Sequence, residues 1–212
     1  AWDNQVFPLD EGNNVKNILR PPWEQDLVQE MNLYPGTPTV ERWKSQQLIS
    51  FRNWEVEAVF VFEQGDSGTL FAHGDQGGGY SMAIEDGELL FTHNGYGEIS
   101  EINCGGVSEG KCSVILKVTP PNFLYWNAEI SLNGDVVADK ENLLALLAMA
   151  PFQGIDIGVD RKSPVNWRLF ENYGIFPFTG KIEKVIYRPG ELTEFAGSKW
   201  IDVLRSAGTK YE

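Results

Sequence analysis

The sequence predicts an all-β fold, a sandwich or jelly roll of antiparallel strands. Three observations carry this. Short apolar or alternating runs recur at close spacing, each bounded by Gly, Asp or Asn. Two dipeptides, Asp86-Gly87 and Asn133-Gly134, are strong hairpin signals, because a type I′ turn needs φ > 0 at both central residues. No strand–helix–strand rhythm and no repeat of fixed period runs through the chain.

Residues 1–45 hold Pro8, Pro21, Pro22, Pro35 and Pro38, with one candidate short helix over Trp23–Met31. A segment this rich in proline is expected to wrap over a scaffold. From Gln47 the pattern changes. Across Leu48–Phe62, Ile49, Phe51, Trp54, Val56, Ala58, Phe60 and Phe62 alternate with polar residues. The phase slips near Asn53, which predicts a bulge. Strands are expected at Thr69–His73, Tyr80–Glu85, Leu89–His93, Glu98–Asn103, Ser113–Val118, Ala128–Leu132 and Val136–Ala138, then at Gly154–Val159 and Lys181–Tyr187. Two helices are expected. Asp139–Ala150 has an acidic start and a Leu-rich body. Thr193–Ser206 places Phe195, Trp200, Ile201 and Leu204 at helical spacing. The expected organisation is one domain over 1–212: a wrapping segment 1–45, a jelly roll 46–188 and a helical tail 189–212.

The 212 residues suit one all-β domain. The formal net charge is −13. Nucleic-acid binding needs clustered Lys and Arg, so that partner is excluded. No run of about 18 apolar residues exists, so no membrane span is expected. Ala1-Trp2-Asp3-Asn4 does not read as a signal peptide, and the chain is expected to be a mature fragment or a domain of a longer chain. The two cysteines, Cys104 and Cys112, enclose a Gly-rich stretch that resembles two strand ends facing across a loop. A disulfide is expected there, and with it an oxidising compartment. The alternative is two reduced thiols at a loop rim. Zinc-ligand spacing is absent.

The stretch Asp156–Val185, with Asp156-Ile157-Gly158-Val159-Asp160 and then Phe176-Pro177-Phe178-Thr179-Gly180 entering the last strand, resembles the C-terminal β-sandwich domain of arylsulfatases. Asn4–Asp10, Asn32–Gly36, Gly68–Gly74, Gly78–Met82, Ile84–Leu89, Asn94–Gly97 and Ser131–Val136 follow that module in collinear order, so the likeness spans residues 4–188. It implies a concanavalin A-like jelly roll that packs against a sulfatase catalytic domain, in the periplasm or outside the cell. It implies no catalytic site. Neither cysteine lies in the Cys/Ser-x-Pro-x-Arg motif from which sulfatases form their nucleophile.

Four groups of residues are candidates for chemistry or contact. Glu55 and Glu57 share one strand face, as a glycosidase pair must. The third carboxylate of the glucanase pattern is missing, since Val59 and Phe60 stand there. His73, Gln76, Tyr80, Asn94 and Tyr96 supply stacking faces and planar polar groups for a carbohydrate, beside Gly77-Gly78-Gly79, where backbone can approach a ligand. Turn chemistry alone also calls for such residues. Asp156 and Asp160 offer oxygen ligands of the type that suits Ca²⁺, with turn capping as the other role. The aromatics Trp126, Trp167, Phe170 and Tyr173 suit a sugar platform or a domain interface. No cofactor is expected beyond that ion. The leading reading is a non-catalytic module that contacts a sulfatase domain and carbohydrate. The alternatives are a free-standing lectin-like protein, or a glycoside hydrolase or lyase on the same scaffold.

Overall fold

The computed structural model describes residues 28–147 and 150–196. The chain divides at Val28/Gln29 and at Thr193/Glu194, and the unit Gln29–Thr193 carries the fold. In chain order its elements are β1 (Met31–Leu33), α1 (Arg42–Gln47), β2 (Arg52–Phe62), β3 (Gly68–Asp75), β4 (Gly78–Glu85), β5 (Glu88–Gly95), β6 (Glu98–Gly106), β7 (Gly110–Thr119), β8 (Tyr125–Leu132), β9 (Asp135–Leu144), β10 (Ile155–Ile157), α2 (Trp167–Tyr173) and β11 (Lys181–Leu192). One sheet has six strands, ordered β1-β11-β2-β7-β8-β9. The other has five, ordered β10-β3-β4-β5-β6. Every neighbouring pair is antiparallel. Among the described residues the fold is the all-β jelly-roll sandwich that the strand pattern predicts, with two short helices.

Local sequence explains the hairpins. Asp86 and Gly87 both take positive φ, 53° and 81°, and so do Asn133 and Gly134 at 53° and 94°. These are the I′ geometries that turn right-twisted strands back on themselves. Between the sheets lie Val56, Ala58, Phe60, Phe71, Tyr80, Met82, Ile84, Phe91, Leu116 and Ile130, all buried. Trp54 joins them, its ring 4.9 Å from Tyr80 and 5.3 Å from Trp126. On β2 these residues alternate with Glu55 and Glu57, so period 2 sorts the two faces.

Strands β3, β4 and β5 depart from that alternation. They are buried along nearly their whole length. Their second face is covered by the chain's own 163–178 segment. Leu169 and Phe176 pack there on Ala83 and Leu90. Asn166 caps α2, its Oδ1 accepting from Leu169 N at 3.1 Å. Its Nδ2 donates to Thr92 Oγ1 at 2.9 Å and to Glu101 Oε1 at 2.5 Å. Arg168 then forks onto Glu85 through both terminal nitrogens, at 2.8 and 2.7 Å, while its Nε reaches Glu101 at 2.9 Å. The polar excursion between the last two strands is therefore a cover, seated on one sheet face by a bidentate ion pair.

Three expectations are corrected. Asp139–Ala150 is not a helix, since residues through Leu144 continue β9 along β8. Pairing with a preformed edge outweighs the helical preference of a Leu-rich run. Leu48–Ser50 is not strand, because it closes the short helix α1, which the Glu41 carboxylate caps by accepting from Trp43 N and Lys44 N. The bulge expected near Asn53 does fall there, between the pairs Arg52–Leu192 and Trp54–Pro189, but its extra residue belongs to the partner strand β11. The third correction concerns Cys104 and Cys112, which are free thiols in the structure. The loop between them is no hairpin. It crosses from β6 in one sheet to β7 in the other. Each sulfur instead donates to a nearby carbonyl, Cys104 to Ile102 O and Cys112 to Ser108 O. The helix expected over Trp23–Met31 lies outside the described residues except for its last positions, where Met31 opens β1. The helix expected over Thr193–Ser206 lies outside them beyond Gly197's predecessor, Ala196.

Both thiols are buried, and burial pushes the Cys104 thiol up to about 11. The native protein should therefore resist alkylation at pH 8. In denaturant without reductant it should take up label at both cysteines. Intact mass spectrometry reads this directly, and an unlabelled denatured protein would show a disulfide after all.

Candidate functional site

The β3–β4 and β5–β6 turns lie at the same end of the five-stranded sheet, because successive hairpins alternate ends. The start of β10 lies there too, with Ile155 opposite His73. One buried side chain ties these pieces together. Asn94 shares its two N–H groups among Asp75 O at 3.3 Å, Gln76 O at 3.0 Å and Val165 O at 3.2 Å. Its Oδ1 accepts from Gly97 N at 2.7 Å. The Asp75 carboxylate adds two more ties, accepting from Gly77 N and from Gln153 N. Gln153, with its amide oriented to satisfy both ends, donates to Arg161 O at 3.1 Å and accepts from Ser163 N at 3.0 Å.

Two exposed aromatics stand on this rim. Trp43 is 38% exposed and Phe152 is 48% exposed. The Arg42 guanidinium carbon lies 5.1 Å from the Trp43 ring centroid and 4.7 Å from that of Phe152. Cation–π contact with both rings fixes their faces without burying them. Gly77 lies beside the Phe152 ring, where an added Cβ would stand at ordinary contact distance, 3.4 Å. Gln76, the residue before Gly77, is exposed and adds a planar amide to this rim.

Beneath the rim lie three buried carboxylates, Asp75, Asp156 and Asp160. Asp156 is neutralised: Oδ1 accepts from Thr39 Oγ1 at 2.6 Å and from Arg161 Nη1 at 2.7 Å. Asp160 accepts from Val165 N at 2.8 Å. Burial pushes its carboxyl up to about 7. The Val165 bond opposes that, and the charges of Asp156 and Asp75 add to it. The candidate Ca²⁺ ligands Asp156 and Asp160 thus serve as loop ties. Among the described residues no cluster of three or more His, Cys, Asp or Glu is placed to hold a metal.

The residues expected to form a sugar site divide. Gln76 and Tyr96 are on the surface, Tyr96 at 44% exposure. His73 and Tyr80 are fully buried between the sheets and cannot touch a ligand there. Tyr80 Oη lies 3.0 Å from His73 Nδ1, and Ser45 Oγ lies 3.1 Å from Nε2. Ser45 donates onward to Arg42 O. That chain is consistent with a neutral imidazole protonated at Nε2, and burial pushes His73 down to about 3. Asn94 is scaffold, as above. Tyr96 holds φ at 57°, a conformation that L-residues with a Cβ disfavour. Its hydroxyl accepts from Leu147 N at 2.8 Å. The Gly78 and Gly79 approaches are filled by Ala150 and Val165 rather than open to a ligand. Trp43 and Phe152 were not singled out from the sequence. They are far apart in the chain, and no local pattern marks them.

The other candidates are placed as follows. Glu55 and Glu57 share a face, as their spacing requires, but Arg188 binds both, at 2.6 and 2.5 Å. Burial raises the Glu57 carboxyl, yet the hydrogen bonds from Arg188 and Ser113 win and hold it below the ordinary range. A general acid needs the reverse shift. Trp126 is core, whereas Trp167 and Tyr173 are exposed on α2 and its end. A cleft of about 580 Å³ opens at the opposite end, lined by Gln64, Asp66, Asp86 and Glu109 among others. It shows no exposed aromatic face.

Asp160 yields a pH test. Its carboxyl holds a proton more tightly in the native than in the unfolded chain, so its share of stability is present at low pH and is lost as pH rises from about 4 to about 7. Asp160→Asn keeps an acceptor for Val165 N and removes that titration. Urea midpoints at pH 5 and pH 8 should lie closer together in the variant, and the variant should be the more stable at pH 8, by an amount on the order of a few kcal/mol. Identical pH dependence in both proteins would assign the titration elsewhere.

No protein-family model and no curated protein matches this chain. Solved structures do. The CBM40 domain of Ruminococcus gnavus IT-sialidase bound to α2,3-sialyllactose superposes with a TM-score of 0.53 at 14% identity, over 78% of this chain and 90% of that one. The same domain bound to α2,6-sialyllactose gives 0.53 at 14%, over 79% and 93%. The leech intramolecular trans-sialidase, complexed with 2,7-anhydro-Neu5Ac, gives 0.53 at 11%, over 79% of this chain and 26% of that one. At these identities the likeness is one of fold. It supports the motif resemblance to the sulfatase module as far as the jelly-roll sandwich and no further.

Proposed function

We propose that this chain is a non-catalytic, lectin-like carbohydrate-binding module. The observation that carries the reading is the pair of exposed, electrostatically held rings, Trp43 and Phe152, on a rim tied together by Asn94. Sugars present apolar C–H faces to such rings and hydroxyls to planar polar groups, here the Gln76 amide. Tyr96 flanks the rim, while His73, Tyr80 and Asn94 support it from below. The sandwich fold shared with sialyllactose-bound domains favours the same reading. Arg188 occupies the one carboxylate pair that the sequence offered for glycosidase chemistry, which favours binding over turnover. A periplasmic or extracellular setting belongs to this proposal, since that is where such glycans are met.

A second reading has its own observation. Trp167, Tyr173 and Ile175 are exposed on or just after α2. A partner domain packed there, a sulfatase catalytic domain in the reading from sequence, would cover them.

A glycan microarray tests the first reading. The wild type should bind, and Trp43→Ala should weaken binding about tenfold, roughly 1.4 kcal/mol, with an unchanged melting temperature. An empty array, or hits indifferent to Trp43→Ala and Phe152→Ala, would leave the domain-packing role.

A further inference from the structure

We infer that the ligand is an extended oligosaccharide, of three or more sugars, lying along the rim from Trp43 and Phe152 to a second stacking platform at Trp167 and Phe170. This rests on the carbohydrate-binding reading and specifies the class of ligand for that same site.

The two platforms are joined by a continuous run of contacting residues. Phe152 abuts Gly77. Gln76 N lies 3.5 Å from Ser163 Oγ, and Gln153 contacts the backbone on both sides of Lys162. Asn94 holds Gln76 O and Val165 O on one amide. The next residue, Asn166, caps α2, and Trp167 follows at once. Trp167 is 45% exposed and stacks on Phe170, with ring centroids 5.1 Å apart and planes 29° apart. The second platform is therefore preformed, and ordering it on binding costs little.

Sheet geometry sets the span. Phe152 lies just before β10, with its ring beside Gly77 in the β3–β4 turn. Asn166 bonds Thr92 on β5 and Glu101 on β6, at one edge of the five-stranded sheet. From that turn to the β5–β6 pair is about two strand spacings, roughly 10 Å at about 4.8 Å each, and Thr92, opposite Ser81, lies about three residues further along the strands, roughly another 10 Å, which makes a diagonal of about 14 Å. One monosaccharide cannot touch both platforms, whereas a tri- or tetrasaccharide can. Between them the surface is polar, with Gln76, Ser163 and exposed Lys162 offering donors and acceptors to hydroxyls. The sheet face itself is unavailable, because Leu169 and Phe176 seal it. A short glycan buried on that face, end-on, is thus disfavoured against a long one lying across the rim.

The test is a length series. Cello- and chito-oligosaccharides from two to six units, together with oligomers of the class scored on the array, are titrated calorimetrically into wild type, Trp43→Ala and Trp167→Ala. Trp167 is a surface side chain, so the fold should survive, and circular dichroism checks this. Affinity should rise at least tenfold from disaccharide to tetrasaccharide and then level off. Trp167→Ala should abolish that rise, so that the tetrasaccharide binds no more tightly than the disaccharide. Trp43→Ala should weaken every length. Affinity flat with length, or a rise that persists in Trp167→Ala, overturns the extended site while leaving the binding module intact and α2 free for a partner domain. No binding of any glycan overturns both.

Discussion

The Asn94 side chain is the interaction on which the functional end of this sandwich depends. Its amide is buried and sits on β5 with its face toward the covering segment. With one carbonyl and two N–H groups it reaches both neighbouring turns and the 158–166 loop. It meets backbone groups at the tips of those turns and in that loop, where unmet carbonyls would be costly. An aspartate there would bring acceptors where donors are needed. A leucine would remove all four of these hydrogen bonds. The rim stands as a surface because this one residue binds its parts.

A second constraint follows from sheet area. The five-stranded sheet presents an apolar outer face at Ala83 and Leu90, and the protein covers it with its own chain. The cover is held by matched charges, Arg168 between Glu85 and Glu101, and by the Asn166 cap. This contact lies partly in solvent, so it contributes orientation more than stability. Its consequence is functional. With that face closed, the five-stranded sheet meets a ligand at its ends or over its cover, and both exposed aromatic platforms lie there.

The buried acids under the rim follow from the same crowding. Asp75, Asp156 and Asp160 each bind backbone groups that no strand partner reaches. One arginine, Arg161, balances the set through Asp156. Placing carboxylates together in a dry loop raises the proton affinity of the least compensated of them, Asp160. The loop that Asp160 closes is the one leading into α2. Proton binding at neutral pH is thereby linked to the segment between the two platforms.

Much of the scaffold was legible in the sequence. The hairpins at Asp86-Gly87 and Asn133-Gly134 are local facts of backbone sterics, and the strands between them follow from period 2. What could not be read was whatever depends on a partner distant in the chain. The Leu-rich Asp139–Leu144 became strand because β8 offered an edge. His73 and Tyr80 share the composition of a sugar site, yet they face inward, since strand periodicity does not name which face is covered. Cys104 and Cys112 parted because the chain changes sheets between them. Glu55 and Glu57 fell on one face as their spacing required, but only the neighbouring strand brought Arg188 to neutralise them. The rim itself joins Trp43 and Phe152 through contacts that no local pattern encodes. Sequence alone determined the all-β class and its turns, because those are set within a few residues. Tertiary structure decided which side chains reach solvent, because burial is settled by what packs on top.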